Sequence, residues 1–202
     1  MDTEPRPRSS PARDRLIDTA YELFSTRGIR DVGIDELIDR AGVAKATLYR
    51  HFDGKDDLAA AFLAERERRW TVDLVQAGAL SRGETPEDQL LAIFDVFDDW
   101  FHRADFDACA FITTLLEMRA DHSLGRASIT HLATIRGFVT QLAQQAGLSE
   151  PETLAHSWHL LMKGSIVAAA EGDHQAAGRA KAMARCLLAE HRMAGAAAAD
   201  GP

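Results

Sequence analysis

Between Val32 and Lys55 a group of side chains able to bind a phosphate or read a base edge falls within about three helical turns: Lys45, Thr47, Tyr49, Arg50, His51 and Lys55, with the small Ala46 among them. Lys and Arg neutralise phosphates and donate to purine edges, and Thr, Tyr and His donate or accept at either. At about 100° per residue, Ala46, Thr47 and Arg50 share one face of a helix. Lys45, Tyr49 and His51 flank that face, while Ala44, Leu48 and Phe52 point inward. A helix with a small, polar outer face is narrow enough for the major groove of DNA, where its N-terminal side chains reach bases and the flanking ones reach phosphates. The alternative reading of the same pattern is a solvated surface helix.

The elements that must position this helix precede it. Ile34, Leu37, Ile38 and Ala41 recur at helical spacing, and Gly42 supplies a residue tolerant of positive φ before the second helix starts near Ala44. That is a helix-turn-helix. Upstream, Leu16, Ile17, Ala20, Leu23 and Phe24 mark a helix from Pro11 to Arg27, stopped by Gly28. Residues 1–10 hold Arg6 and Arg8 without an apolar period, and we read them as a disordered arm that either reaches along DNA or is merely solvated. The spacing thus predicts a three-helix head over 11–54.

Thr47-Leu48-Tyr49-Arg50-His51-Phe52 followed by Lys55, preceded by Arg40-Ala41-Gly42-Val43 and by Leu23-Phe24-Ser25-Thr26-Arg27-Gly28, closely resembles the N-terminal domain of the TetR family of bacterial transcription regulators, over roughly residues 13 to 63. The resemblance implies an all-α, homodimeric, ligand-responsive regulator, most often a repressor, that binds a palindromic double-stranded DNA operator and has Lys55 on the phosphate backbone. Four positions depart from the family pattern: Gly33 and Ala44 replace Ser or Thr caps, Ile38 fills a usually small position, and Asp35 an often basic one. A missing cap costs about 0.5–2 kcal/mol, less where Gly substitutes. These departures soften the starts of the two helices without breaking the fold signal.

The formal net charge of −8 argues against bulk nonspecific affinity for nucleic acid, so any DNA binding must come from a local face. Residues 1–69 hold 13 Lys/Arg against 14 Asp/Glu, leaving 10 against 17 for residues 70–202, so the acidity lies mostly in the second part. There is no GxGxxG, P-loop, HExxH, GxSxG or CxxC, and the common motif-borne enzyme chemistries and cofactors have no support. Cys109 and Cys186 are expected to be buried thiols in a reducing cytoplasm. His156 and His159, with His122 and His131 upstream, lack a carboxylate or Cys at matching spacing, so no metal is expected. With no signal peptide or membrane span in evidence, the reading is a cytoplasmic protein.

The second part, 55–193, reads as a helical regulatory and dimerisation domain. Asp53 caps a connecting helix carrying Leu58, Phe62, Leu63, Trp70 and Leu74 over 55–76, with a break at Gly78 and Ser81-Arg82-Gly83. Thr85-Pro86-Glu87-Asp88 starts the next helix. Further helices are expected over 108–119, 123–146, 151–171 and 175–192, and residues 194–202 read as a frayed tail. Phe94, Phe97, Trp100, Phe101, Phe111, Trp158 and Met162 line a ligand cavity if the resemblance holds, and fill the core if it does not, with Asp98, His102 and Glu117 as the nearest polar groups. The Pro151 helix has two apolar faces. Leu154, Trp158, Leu161, Met162 and Ser165 form one, and Leu160, Gly164, Val167 and Ala168 form the other. The second face, with Ala180, Ala184, Leu187 and Leu188 of the last helix, is the expected homodimer interface, a four-helix bundle made from two copies. The rival reading is a ligand-binding or enzymatic helical domain whose head has lost DNA binding.

Overall fold

The structure, a computed structural model, describes residues 10–199, with side chains as far as Arg192, so most of the expected arm and the tail's side chains lie outside the described residues. It is all-α, with no strand among the described residues. The helices are α1 Pro11–Arg27, α2 Ile34–Ala41, α3 Lys45–His51, α4 Lys55–Arg66, α5 Ala77–Arg82, α6 Pro86–Phe101, α7 Ala110–Met118, α8 Ser123–Gln145, α9 Pro151–Ala170 and α10 Ala176–Ala199. Between α4 and α5, Glu67–Gln76 is wound as a π-helix.

Local chemistry explains the well-defined ends. Ser10 accepts the amide of Arg13 through its hydroxyl, Pro11 opens α1, and Gly28, at φ 81°, closes it. Thr85 and Asp88 form a reciprocal capping box at the start of α6. Gly33 and Ala44, at the N-caps of α2 and α3, make no side-chain cap.

The contacts divide the chain into two compact units that do not coincide with the ranges expected from sequence: 1–66 with 110–128, and 67–109 with 129–202. In the first unit, Leu16, Ala20, Leu23 and Phe24 of α1 are buried, as are Leu58, Ala59, Phe62 and Leu63 of α4, and α1 packs on α4. Phe62 meets Phe24 and Tyr21 edge-on at centroid distances of 5.5 and 5.8 Å. The buried Arg66 donates to the Tyr21 hydroxyl at 3.1 Å. This packing is why α4 groups with the head and not with the domain expected to begin at residue 55.

In the second unit α10 packs on α9 and α6, and α5 on α6. Lys181 is held by Asp95 at 2.6 Å, and Arg82 by Asp99 at 2.7 Å. Trp70 of the π-helix packs against Phe97 and Trp100. The expected break at Gly78 is not a break: α5 runs through it to Arg82, because a Cβ on Gly78 would lie 2.8 Å from Val96 and glycine lets α5 approach α6. The last helix also continues beyond residue 192, to Ala199. Of the two cysteines, Cys109 is buried but Cys186 is exposed, contrary to expectation, because it lies on the outward side of α10 with Arg185.

His159, buried on α9, has an imidazole pKa pushed down to about 3, first by burial and then by the neighbouring Lys163, Arg136 and His156. Its Nδ1 has no hydrogen-bond partner among the described residues. The unfolded chain takes up this proton near 6.5 and the folded chain only near 3, so stability falls as pH drops through that window. The contribution is up to about 1.4 kcal/mol per pH unit. His159→Leu should flatten that part of the acid limb in thermal melts against pH, and an unchanged limb would contradict the assignment.

Candidate functional site

The α3 helix is short, and its inward side is Leu48, fully buried, followed by Phe52 just beyond its end. Ala44, expected with them, is instead the exposed N-cap residue. Outward, Lys45, Ala46, Tyr49 and Arg50 are exposed, and Thr47 is half-buried. His51, at the C-terminal end, is half-buried and its Nε2 is 3.0 Å from the Ser10 hydroxyl. The start of α1 thereby meets the end of α3. Arg13 lies over the Phe52 ring at 5.3 Å, and Arg15 donates to the Ala41 carbonyl at 3.3 Å, so α1 holds both arms of the helix-turn-helix.

The turn between α2 and α3 is made by Gly42 in the left-handed region, at φ 62° and ψ 42°. Gly42 donates its N–H to Asp39 O at 3.2 Å, and Val43 donates to Ile38 O at 3.2 Å, closing α2. Lys55, at the start of α4, donates to the Arg30 carbonyl at 3.3 Å, leaving donors of its ammonium for another acceptor. The structure thus collects six of the seven DNA-contact candidates on α3, with Lys55 in the same unit.

Lys45 has a competitor. Its Nζ lies 3.2 Å from the Asp35 carboxylate. Both side chains are more than 60% exposed, so the pair adds about 1 kcal/mol at most. Its carboxylate would also repel an approaching phosphate. Asp35→Asn should therefore raise affinity for duplex DNA about two- to fivefold at low salt, the gain shrinking as salt rises. Fluorescence anisotropy over a salt series measures it, and equal or weaker binding would count against α3 as the contact surface.

The predicted ligand residues divide between the two units. Phe94, Phe97, Trp100, Phe101, Trp158 and Met162 are buried in the second, where Phe97 touches Trp70, Phe94, Trp100 and Phe101, and Phe94 touches Trp158 at 5.5 Å. Phe111, equally buried, belongs to the first unit with α7. Glu117, expected near a ligand, also lies in the first unit and accepts backbone amides there. Asp98 and His102 instead line an open depression of about 450 Å3 with His174. The indole N–H of Trp158 is buried without a partner among the described residues.

The expected interface residues also separate. Leu160 is 69% exposed and Val167 48%, Gly164 is open, and Ala168 and Leu187 are half-buried. Ala180, Ala184 and Leu188 are buried within the protomer, because their side of α10 already packs on its own neighbours. Met183, not singled out in the sequence, is 59% exposed. With Leu160, Gly164 and Ala168 it borders a shallow apolar groove of about 320 Å3 between α9 and α10.

Among the described residues no three His, Cys, Asp or Glu side chains come together as a metal site. His122 pairs with Asp56 at 3.4 Å and His131 with Glu67 at 3.0 Å. No helix among the described residues is long and apolar enough to cross a membrane.

The sequence model described as bacterial regulatory proteins, tetR family, matches residues 16–62. The crystal structure of SCO4454, a TetR-family transcriptional regulator from Streptomyces coelicolor, is similar with a TM-score of 0.82 and 30% identity, covering 90% of each chain. An HTH-type transcriptional regulator from Mycobacterium tuberculosis, Rv1255c, is 39% identical over 62 residues, 31% of this chain and 31% of that protein. The HTH-type transcriptional regulator SrpR of Pseudomonas putida is 38% identical over 61 residues, 30% of this chain and 29% of its own. The aligned segment therefore spans about a third of the length of these curated relatives.

Proposed function

This chain belongs to the TetR family of bacterial regulatory proteins, and from that premise we propose that it is a homodimeric transcription regulator, a repressor that leaves its operator when a small organic ligand binds the second unit. The observation that carries the reading is α3, which buries Leu48 and turns Lys45, Ala46, Tyr49 and Arg50 to solvent. In a dimer two such helices enter successive major grooves on one side of a palindromic operator. Lys45, Thr47, Tyr49, Arg50 and His51 meet bases and phosphates there, and Lys55 meets the backbone.

Support for the dimer comes from Leu160, Val167 and Met183, large apolar side chains exposed around the open Gly164. Small residues at such a face let a partner helix approach closely. Support for a ligand is the aromatic cluster of the second unit together with the unpartnered indole N–H of Trp158, which an acceptor on an apolar compound would satisfy. Ligand binding weakens operator binding by about 5- to 150-fold for a coupling of roughly 1–3 kcal/mol, and DNA weakens the ligand equally.

Lys45→Ala and Lys55→Ala test the interface. Loss of a phosphate contact weakens all sequences alike and lowers the salt slope by about one, whereas loss of a base contact costs about 1–3 kcal/mol and relaxes one operator position. Wild-type binding by both variants refutes the assignment.

A further inference from the structure

We propose that Glu117 is a positioning residue for DNA binding, acting through the turn after α1 on Lys55. The proposal rests on the reading of Lys55 as a phosphate contact. Glu117 lies on α7, far beyond the matched segment 16–62, yet in the same compact unit as the helix-turn-helix. Its carboxylate accepts two successive backbone amides, from Ile29 at 3.0 Å and from Arg30 at 2.5 Å. Consecutive amides converging on one anion form a nest, and a carboxylate across both fixes the turn in two directions.

Three further observations converge on that turn. Gly28 has φ +81°, and a Cβ there would sit 3.2 Å from Glu117 Oε2, so the glycine both permits the backbone conformation and makes room for the carboxylate. Ile29 is 2% exposed, and without Glu117 its amide loses its acceptor. The same Arg30 whose N–H donates to Glu117 accepts the ammonium of Lys55 on its carbonyl at 3.3 Å. One peptide residue therefore joins Glu117 to Lys55. His122 pairs with Asp56, next to Lys55, so the 110–128 segment also meets the start of α4 directly.

The head is consequently completed by a segment distant in sequence, and a change at α7 reaches a phosphate-binding lysine without contacting DNA. The test uses the full-length protein and a duplex selected by it from a random pool, with affinity measured by anisotropy over a salt series. Every variant is measured at a temperature where circular dichroism shows it fully folded. Glu117→Ala should weaken binding about tenfold near 0.1 M salt and lower the salt slope by about one, the signature of one lost phosphate contact. Glu117→Gln, which keeps one acceptor oxygen, should fall between it and wild type. The Glu117→Ala/Lys55→Ala double variant should bind no more weakly than Lys55→Ala alone. Wild-type affinity and slope for Glu117→Ala overturn the proposal, as does a double variant whose loss is the product of the two single losses. Weakening by Glu117→Ala with none by Lys55→Ala overturns the route through Lys55. Failure of the wild type to select any duplex is a different failure, removing the DNA-binding reading itself.

Discussion

Replacing Gly164 with Leu should convert the protein to folded monomers and lower apparent operator affinity by about 10²- to 10⁴-fold, the advantage that linking two binding modules confers. A Cβ added at Gly164 meets nothing within 4 Å inside the protomer, so a side chain here starts in open space. It projects from a face that already exposes Leu160 and Val167 on α9, beside Met183 on α10. Two helices packed at a small-residue contact lie about 8–10 Å apart, and a leucine at the closest point forces them away. Light scattering reports the mass, and circular dichroism confirms that helicity is kept. A Gly164→Leu protein that stays dimeric moves the interface elsewhere.

Truncating Phe62 to Ala should cost about 3–5 kcal/mol of stability and abolish operator binding at growth temperature. Phe62 is fully buried and receives both Tyr21 and Phe24 edge-on, so its removal opens a cavity where α1 meets α4. α1 is also what holds the helix-turn-helix, through Arg13 on Phe52, Arg15 on Ala41 and Ser10 beside His51. Loss of the α1–α4 contact therefore reaches α3 without altering a DNA-contacting residue. Urea unfolding followed by circular dichroism measures the cost, and a loss below about 1 kcal/mol would show that the site relaxes to fill the space.

The head was legible because its signals are local. Pro11 and Gly28 bound α1 where expected, Gly42 makes the turn its type suggests, and Leu48 faces inward as its spacing demands. Signals failed where a residue serves a neighbour distant in sequence. Gly78 reads as a helix breaker but is small for the sake of Val96 on α6. Glu117 reads as a polar group near a ligand cavity, and nothing in its surroundings reveals the amides of Ile29 and Arg30 it accepts instead. Over 67–76 helical spacing pairs Trp70 with Leu74, whereas the π winding buries Val75 with Trp70 and leaves Leu74 half-buried. On α10, Ala180, Ala184 and Leu188 share an apolar side, but spacing alone does not say whether it meets a second copy or α6 and α9 of its own chain.

In the proposed dimer α3 is presented twice to one piece of DNA. Footprinting of the intergenic DNA upstream of the protein's own gene, at nanomolar dimer and near-physiological salt, tests this directly. The expected protection is two-fold symmetric, with half-sites one helical turn, about 10–10.5 base pairs, or a multiple apart, and it disappears in Lys45→Ala and Gly164→Leu. Protection of a single asymmetric half-site by the wild type, or symmetric protection that survives both substitutions, would contradict the account.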